Sequence, residues 1–91
     1  MPETLFQRRK RLTFRAWHRG TREMDLVLGP FADAHFGSWS GAQLDRIETL
    51  MDHEDTDLLA WLIGQKEPMA GVDTELLNEL RAFRERQSQA R

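Results

Sequence analysis

Apolar side chains return every three or four positions along most of this chain, the spacing of helices buried on one side, and no stretch carries the alternation of a strand. From Leu5 to His18, Leu5, Leu12 and Ala16 share one line while Phe6, Thr13 and Trp17 form a neighbouring one, which predicts a helix with a broad, aromatic-edged apolar face. From Arg22 to His35, Met24, Val27, Leu28 and Phe31 follow i, i+3, i+4, i+7, with Glu23 and Asp25 at the positive end of the helix dipole. Gly29-Pro30 interrupts this second pattern. Proline lacks an N–H and collides with the preceding turn, so the helix should end, kink or restart there, with Pro30 opening a short continuation to His35. Gly29 then marks a bend, or a place where another backbone comes close.

After a loop at Phe36 to Trp39, Ser40 and Gln43 form a capping box ahead of Leu44, Ile47, Leu50 and Met51, the clearest helix start in the chain. Asp55 or a neighbour caps a short fourth helix with Leu58, Leu59, Trp61, Leu62 and Ile63, apolar nearly all round and ending at Gly64. A loop with Pro68 and Gly71 leads to Asp73, the cap of a final helix whose Leu76, Leu77, Leu80 and Phe83 face inward. From Arg84 onward the pattern turns polar and is expected to fray. These segments predict an all-α fold, a single-domain bundle of about five short helices over residues 1–91, with frayed ends at about 1–4 and 86–91.

Composition narrows the chemistry. Without a cysteine among 91 residues there is no disulfide, thiolate metal site or cysteine nucleophile, so packing must hold the core. No apolar run approaches the roughly 20 residues of a membrane span, and the N-terminus lacks the apolar core of a signal peptide. A cytoplasmic protein that does not insert into membranes is the expectation. Residues 1–23 hold seven Lys or Arg against two Glu, and the remainder six against thirteen Asp or Glu, so net charges of +5 and −7 underlie the overall −2. Such a division predicts a basic side and an acidic side able to orient a partner. Arg8-Arg9-Lys10-Arg11 fills one helical turn and so points in all directions, which reads as a solvated, partly frayed helix start rather than a nucleic-acid stripe. Asp45, Glu48 and Asp52, followed by Glu54, Asp55 and Asp57, read as a solvated acidic face with Arg46 nearly alone among them.

No Gly-rich strand-to-helix turn or Gly-x-Ser-x-Gly elbow is present, and His18, His35 and His53 stand singly. No catalytic or metal-ligating residue can be named, and a non-enzymatic protein-binding module is the better reading. The junction between the first two helices is its most informative part. Gly20 suits a residue that must take positive φ, and with Gly20 as N-cap, Glu23 falls at N3, where its carboxylate reaches back to the exposed N–H of residue 20. Arg19 and Glu23 can alternatively form an exposed corner, one cation and one anion offered to a partner. The residues alone favour capping.

Arg19-Gly20-x-x-Glu23, continued as Met24-Asp25-Leu26 and Leu28-Gly29-Pro30-Phe31, resembles the signature of the small succinate dehydrogenase flavinylation factors. The likeness runs from about Arg8 to about Arg84 and takes in the acidic third helix and the Asp-x-Asp-Leu-Leu-x-Trp-Leu segment from Asp55 to Leu62. It implies a bacterial assembly chaperone that binds the flavoprotein subunit of succinate dehydrogenase, with fumarate reductase as a further candidate client. The factor promotes covalent attachment of FAD to a client histidine and holds no cofactor tightly itself. It also implies a partner-binding site at Arg19, Gly20 and Glu23, rimmed by Arg22, His18 and Trp17. Arg19, for which the sequence offers little structural purpose, carries most of that weight. The alternative is a small helical nucleic-acid-binding or regulatory protein using Arg8 to Arg11.

Overall fold

Thr4 opens the first helix. Its hydroxyl accepts the N–H of Gln7 at 3.0 Å, and Gln7 Oε1 accepts the N–H of Thr4 at 2.9 Å, a reciprocal capping box that fixes the start of α1, Leu5–Trp17. The expectation of a frayed N-terminus is therefore corrected at Thr4. Glu3 is held as well, through Arg11 at 2.8 Å. The computed structural model describes residues 2–89. In it α1 is followed by α2, Arg22–His35, a single 3-10 turn at Phe36–Ser38, α3, Gly41–Met51, α4, Asp55–Leu62, and α5, Thr74–Gln89. The all-α bundle of five helices is as expected, and the described residues contain no strand.

Two helices run further than their patterns suggested. α2 passes through Gly29 and Pro30 without a break. A proline inside a helix costs about 3 kcal/mol through its lost hydrogen bond and clash. Met24, Val27, Leu28, Phe31 and Ala32 on both sides of it are all buried, and each large apolar side chain contributes about 1.5–3 kcal/mol, so burial of the whole face outweighs the local defect. α5 continues helically to Gln89 instead of fraying beyond Arg84, while residues 90 and 91 lie outside the described residues. Its cap is the expected one: Asp73 Oδ1 accepts the N–H of Leu76 at 3.1 Å. Ser40 and Gln43 likewise form the expected box at the start of α3. At α4 the cap is the neighbour of Asp55, Glu54, which makes no side-chain capping bond, while Asp55 is the first helical residue and is engaged elsewhere.

All five helices contribute to one core. Phe31 sits at its aromatic centre, with Phe36, Trp39 and Phe83 edge-on at 6.4, 5.6 and 5.4 Å between ring centroids. On α1 only Leu12 and Ala16 of the predicted inner line are buried; Leu5, at the helix start, overhangs the core and is 42% exposed. No described helix is long and apolar enough to cross a membrane.

The charges of α1 and α3 meet. Arg8, Arg11 and Arg15 repeat at i, i+3, i+7, and so do Asp45, Glu48 and Asp52. Arg8 reaches Asp45 at 2.6 Å and Glu48 at 2.8 Å, Arg11 reaches Glu48 at 3.1 Å, and Arg15 reaches Asp52 at 3.2 Å. Arg9 points to the other side and donates to the carbonyl of Trp39 at 2.7 Å. The basic cluster is thus no frayed, solvated start, and the acidic face of α3 is no merely solvated face: two helices with the same charge spacing pair along their length. Hydrogen bonds from Arg8 and Arg11 hold the Glu48 carboxyl below the ordinary glutamate range. The alternative of a nucleic-acid site at Arg8 to Arg11 loses three of its four cations to this ladder and to Trp39.

Candidate functional site

Between α1 and α2 the chain reverses direction in four residues. His18 ends α1 by donating its N–H to the Arg15 carbonyl at 3.2 Å, and Gly20 turns the chain at φ +105°, a conformation that residues with a Cβ rarely adopt. Thr21 is extended and caps α2. Gly20 is therefore not the N-cap, and Glu23 stands at the second helical position instead of the third. The expected bond from the N–H of residue 20 to the Glu23 carboxylate is not made among the described residues. Instead the neighbouring N–H of Arg19 donates to Asp25 Oδ1 at 2.6 Å, so the carboxylate that secures the junction comes from Asp25.

Arg19 turns inward, which overturns its reading as an exposed cation with little structural purpose. Its side chain is only 10% exposed. Nε donates to Asp55 Oδ1 at 2.8 Å, Nη2 to the His53 carbonyl at 2.7 Å and Nη1 to the carbonyl of Met51, the last residue of α3. The reason lies in the α3–α4 corner, where a helix C-terminus leaves carbonyls without partners and its dipole favours a cation. A rigid guanidinium fork can satisfy two carbonyls and a carboxylate at once. Asp55 also accepts the hydroxyl of Thr21 on its second oxygen at 3.0 Å. One carboxylate of α4 consequently holds both sides of Gly20.

Trp17 is committed to packing. Its ring lies across Gly29, where an added Cβ would stand 2.3 Å from the ring, and Nε1 donates to Asp33 Oδ1 at 3.2 Å. Gly29 therefore admits a tryptophan face, not another backbone. His18 is exposed, stacked on Phe14 at 3.9 Å with Nδ1 2.7 Å from the Phe14 carbonyl. Gly20, Thr21, Arg22 and Glu23 all face outward. Of the six residues singled out by sequence, Gly20, Arg22, Glu23 and His18 remain accessible, while Arg19 and Trp17 serve as supports.

Glu23 borders a groove of about 430 Å³ between the start of α2 and the last turns of α5, with Leu26 and Leu59 on its apolar side and Arg84, Gln87 and Ser88 opposite. Sequence reasoning did not find this groove, because its walls are some sixty residues apart. It also missed Asp25 and Asp55, although both stand inside segments it had marked. Among the described residues no three His, Asp or Glu side chains gather as metal ligands. The exposed part of the site offers an anion, a cation and amide groups on a rigid turn, which suits recognition of a protein surface.

Comparison with known proteins places the chain in a family. Residues 10–84 match the family described as flavinator of succinate dehydrogenase. The chain is similar to the FAD assembly factor SdhE of Acetobacter pasteurianus, 38% identical over 69% of this chain and 58% of that protein. It is also similar to the mitochondrial succinate dehydrogenase assembly factor 2 of Meyerozyma guilliermondii, 34% identical over 86% of this chain and 61% of that protein. The corresponding protein of Candida glabrata is 30% identical over 91% and 57%. In each case the match spans less than two thirds of the relative's length.

Proposed function

We propose, from the premise that the chain belongs to the family of succinate dehydrogenase flavinators, that it is a non-catalytic assembly factor. It binds the flavoprotein subunit of succinate dehydrogenase and promotes covalent attachment of FAD to it. Its sphere of action is the compartment where that subunit folds, the cytoplasm of a bacterium. FAD travels with the client, and the covalent bond joins a client histidine to the 8α-methyl of the flavin. This chain adds no covalent residue. Its contribution is to hold the client in a geometry that brings histidine and flavin within reach, the kind of preorganisation that lowers a barrier without new chemistry.

One observation carries the assignment of roles: the Arg-Gly-x-x-Glu motif is divided between interior and surface. Arg19 is locked on Asp55 and the α3–α4 corner, while Glu23 stands exposed and makes no ion pair or side-chain hydrogen bond among the described residues. Arg19 thus positions the turn, and Gly20, Arg22 and Glu23 meet the client, with His18 at the rim. The experiment is co-expression with the flavoprotein subunit, read by capture of the complex and by the fluorescence of covalent flavin in a denaturing gel. Glu23→Gln and Gly20→Arg are expected to lose both signals. Wild-type capture and flavin content in both variants, at unchanged helical content, would falsify the assignment.

A further inference from the structure

Most arginines of this molecule are held, Arg22, Arg84 and Arg86 being the ones without an ion pair or hydrogen bond among the described residues. Arg8, Arg11, Arg15, Arg19 and Arg46 pair with carboxylates, and Arg9 and Arg81 donate to backbone carbonyls. In the α2–α5 groove one of the three unpaired arginines meets an unpaired carboxylate across an apolar floor. Glu23 on one wall and Arg84 on the other both line it, yet neither forms an ion pair among the described residues. Between them Leu26 is 50% exposed although Met24, Val27 and Leu28 around it are at most 5% exposed. A half-exposed leucine between an anion and a cation repeats the layout of a protein interface, an apolar centre with a polar rim.

We propose that this groove is a second part of the client-binding surface, seating a segment of the flavoprotein subunit that presents a large apolar side chain flanked by a basic and an acidic residue. The inference rests on the proposed function, since it takes its partner from there. Its occupant follows from charge and continuity. Glu23 belongs to both the motif turn and the groove, so a client on the turn already overhangs the groove. A basic residue then meets Glu23, the apolar side chain covers Leu26 and Leu59, and an acidic residue meets Arg84. Arg84, Gln87 and Ser88 fall at i, i+3, i+4 on α5 and form one continuous wall.

The test is titration of the purified flavoprotein subunit with the full chain. Arg84→Glu and Leu26→Asp are each expected to weaken binding at least tenfold, with thermal midpoint unchanged for Arg84→Glu, while Lys66→Glu, outside the groove lining, leaves binding as it was. Wild-type affinity in Arg84→Glu and Leu26→Asp alongside lost affinity in Gly20→Arg would overturn the groove and leave the assembly role standing. Wild-type affinity in Gly20→Arg and Glu23→Gln as well would remove the assembly role itself. Arg84 is exposed and outside the core, so its variant answers even where Leu26→Asp fails to fold.

Discussion

The α1–α3 face and the α2–α5 face of this bundle both carry opposite charges and use them in opposite ways. Along α1 and α3 the cations of Arg8, Arg11 and Arg15 meet Asp45, Glu48 and Asp52 within the molecule. Across the α2–α5 groove Glu23 and Arg84 face each other's surroundings without pairing. The strongest charge pattern in the sequence therefore belongs to internal architecture, and the sparse charges flanking half-exposed Leu26 are those free to meet a partner. Arg19 and Glu23 reproduce the contrast within five residues.

Emptying the Arg19 socket should have the largest effect. Arg19→Ala strands a nearly buried carboxylate and two carbonyls, and Asp55→Ala leaves the guanidinium without its counter-ion; removing one partner of such a pair costs about 3–5 kcal/mol. Urea unfolding should show the loss in both variants. A change below about 1 kcal/mol in both would place Arg19 among the free charges instead. Next comes Gly29→Ala, whose Cβ cannot coexist with the Trp17 ring. Displacing that rigid aromatic should cost about 1–3 kcal/mol and shift the tryptophan fluorescence. An unchanged spectrum and midpoint would refute the packing role.

Gly20→Ala and Gly20→Arg share one backbone strain of about 1 kcal/mol, because nothing lies within 4 Å of the added Cβ. Equal stability with client binding lost only in the arginine variant would show that the client approaches this turn. Equal binding in the two would argue against it.

Acid should erode the α1–α3 face. The Glu48 carboxyl is held below its ordinary range by Arg8 and Arg11, so the folded state binds its proton less readily than the unfolded state. That contribution is complete above roughly pH 4.3 and is lost as pH falls through the depressed folded value. Glu48→Gln should thus lower stability at neutral pH by about 1 kcal/mol for a partly exposed pair. The variant should also flatten the acid limb, and an unchanged limb would rule the ladder out as its source. The smallest stability effect belongs to Glu23→Gln, within about 0.5 kcal/mol for an exposed, unpaired group. A larger loss would mean that Glu23, like Arg19, is a support.

Helix identity, the inward faces and the caps at Ser40 and Asp73 were legible in the chain, because each depends on residues within one or two turns of one another. Thr4 and Gln7 carried the same local signal and were overlooked. Legible too was the junction at Gly20, where a positive φ favours the one residue without a Cβ. What the sequence could not assign were partners in space. Arg19 and Asp55 are 36 positions apart, Arg8 and Glu48 are 40, and Glu23 and Arg84 are further still. Local pattern says that such groups are charged; only the packing of helices decides which find a counter-ion and which are left facing solvent. The same packing carried α2 through Pro30 and placed Trp17 on Gly29, since burial of a whole helix face exceeds any single local defect.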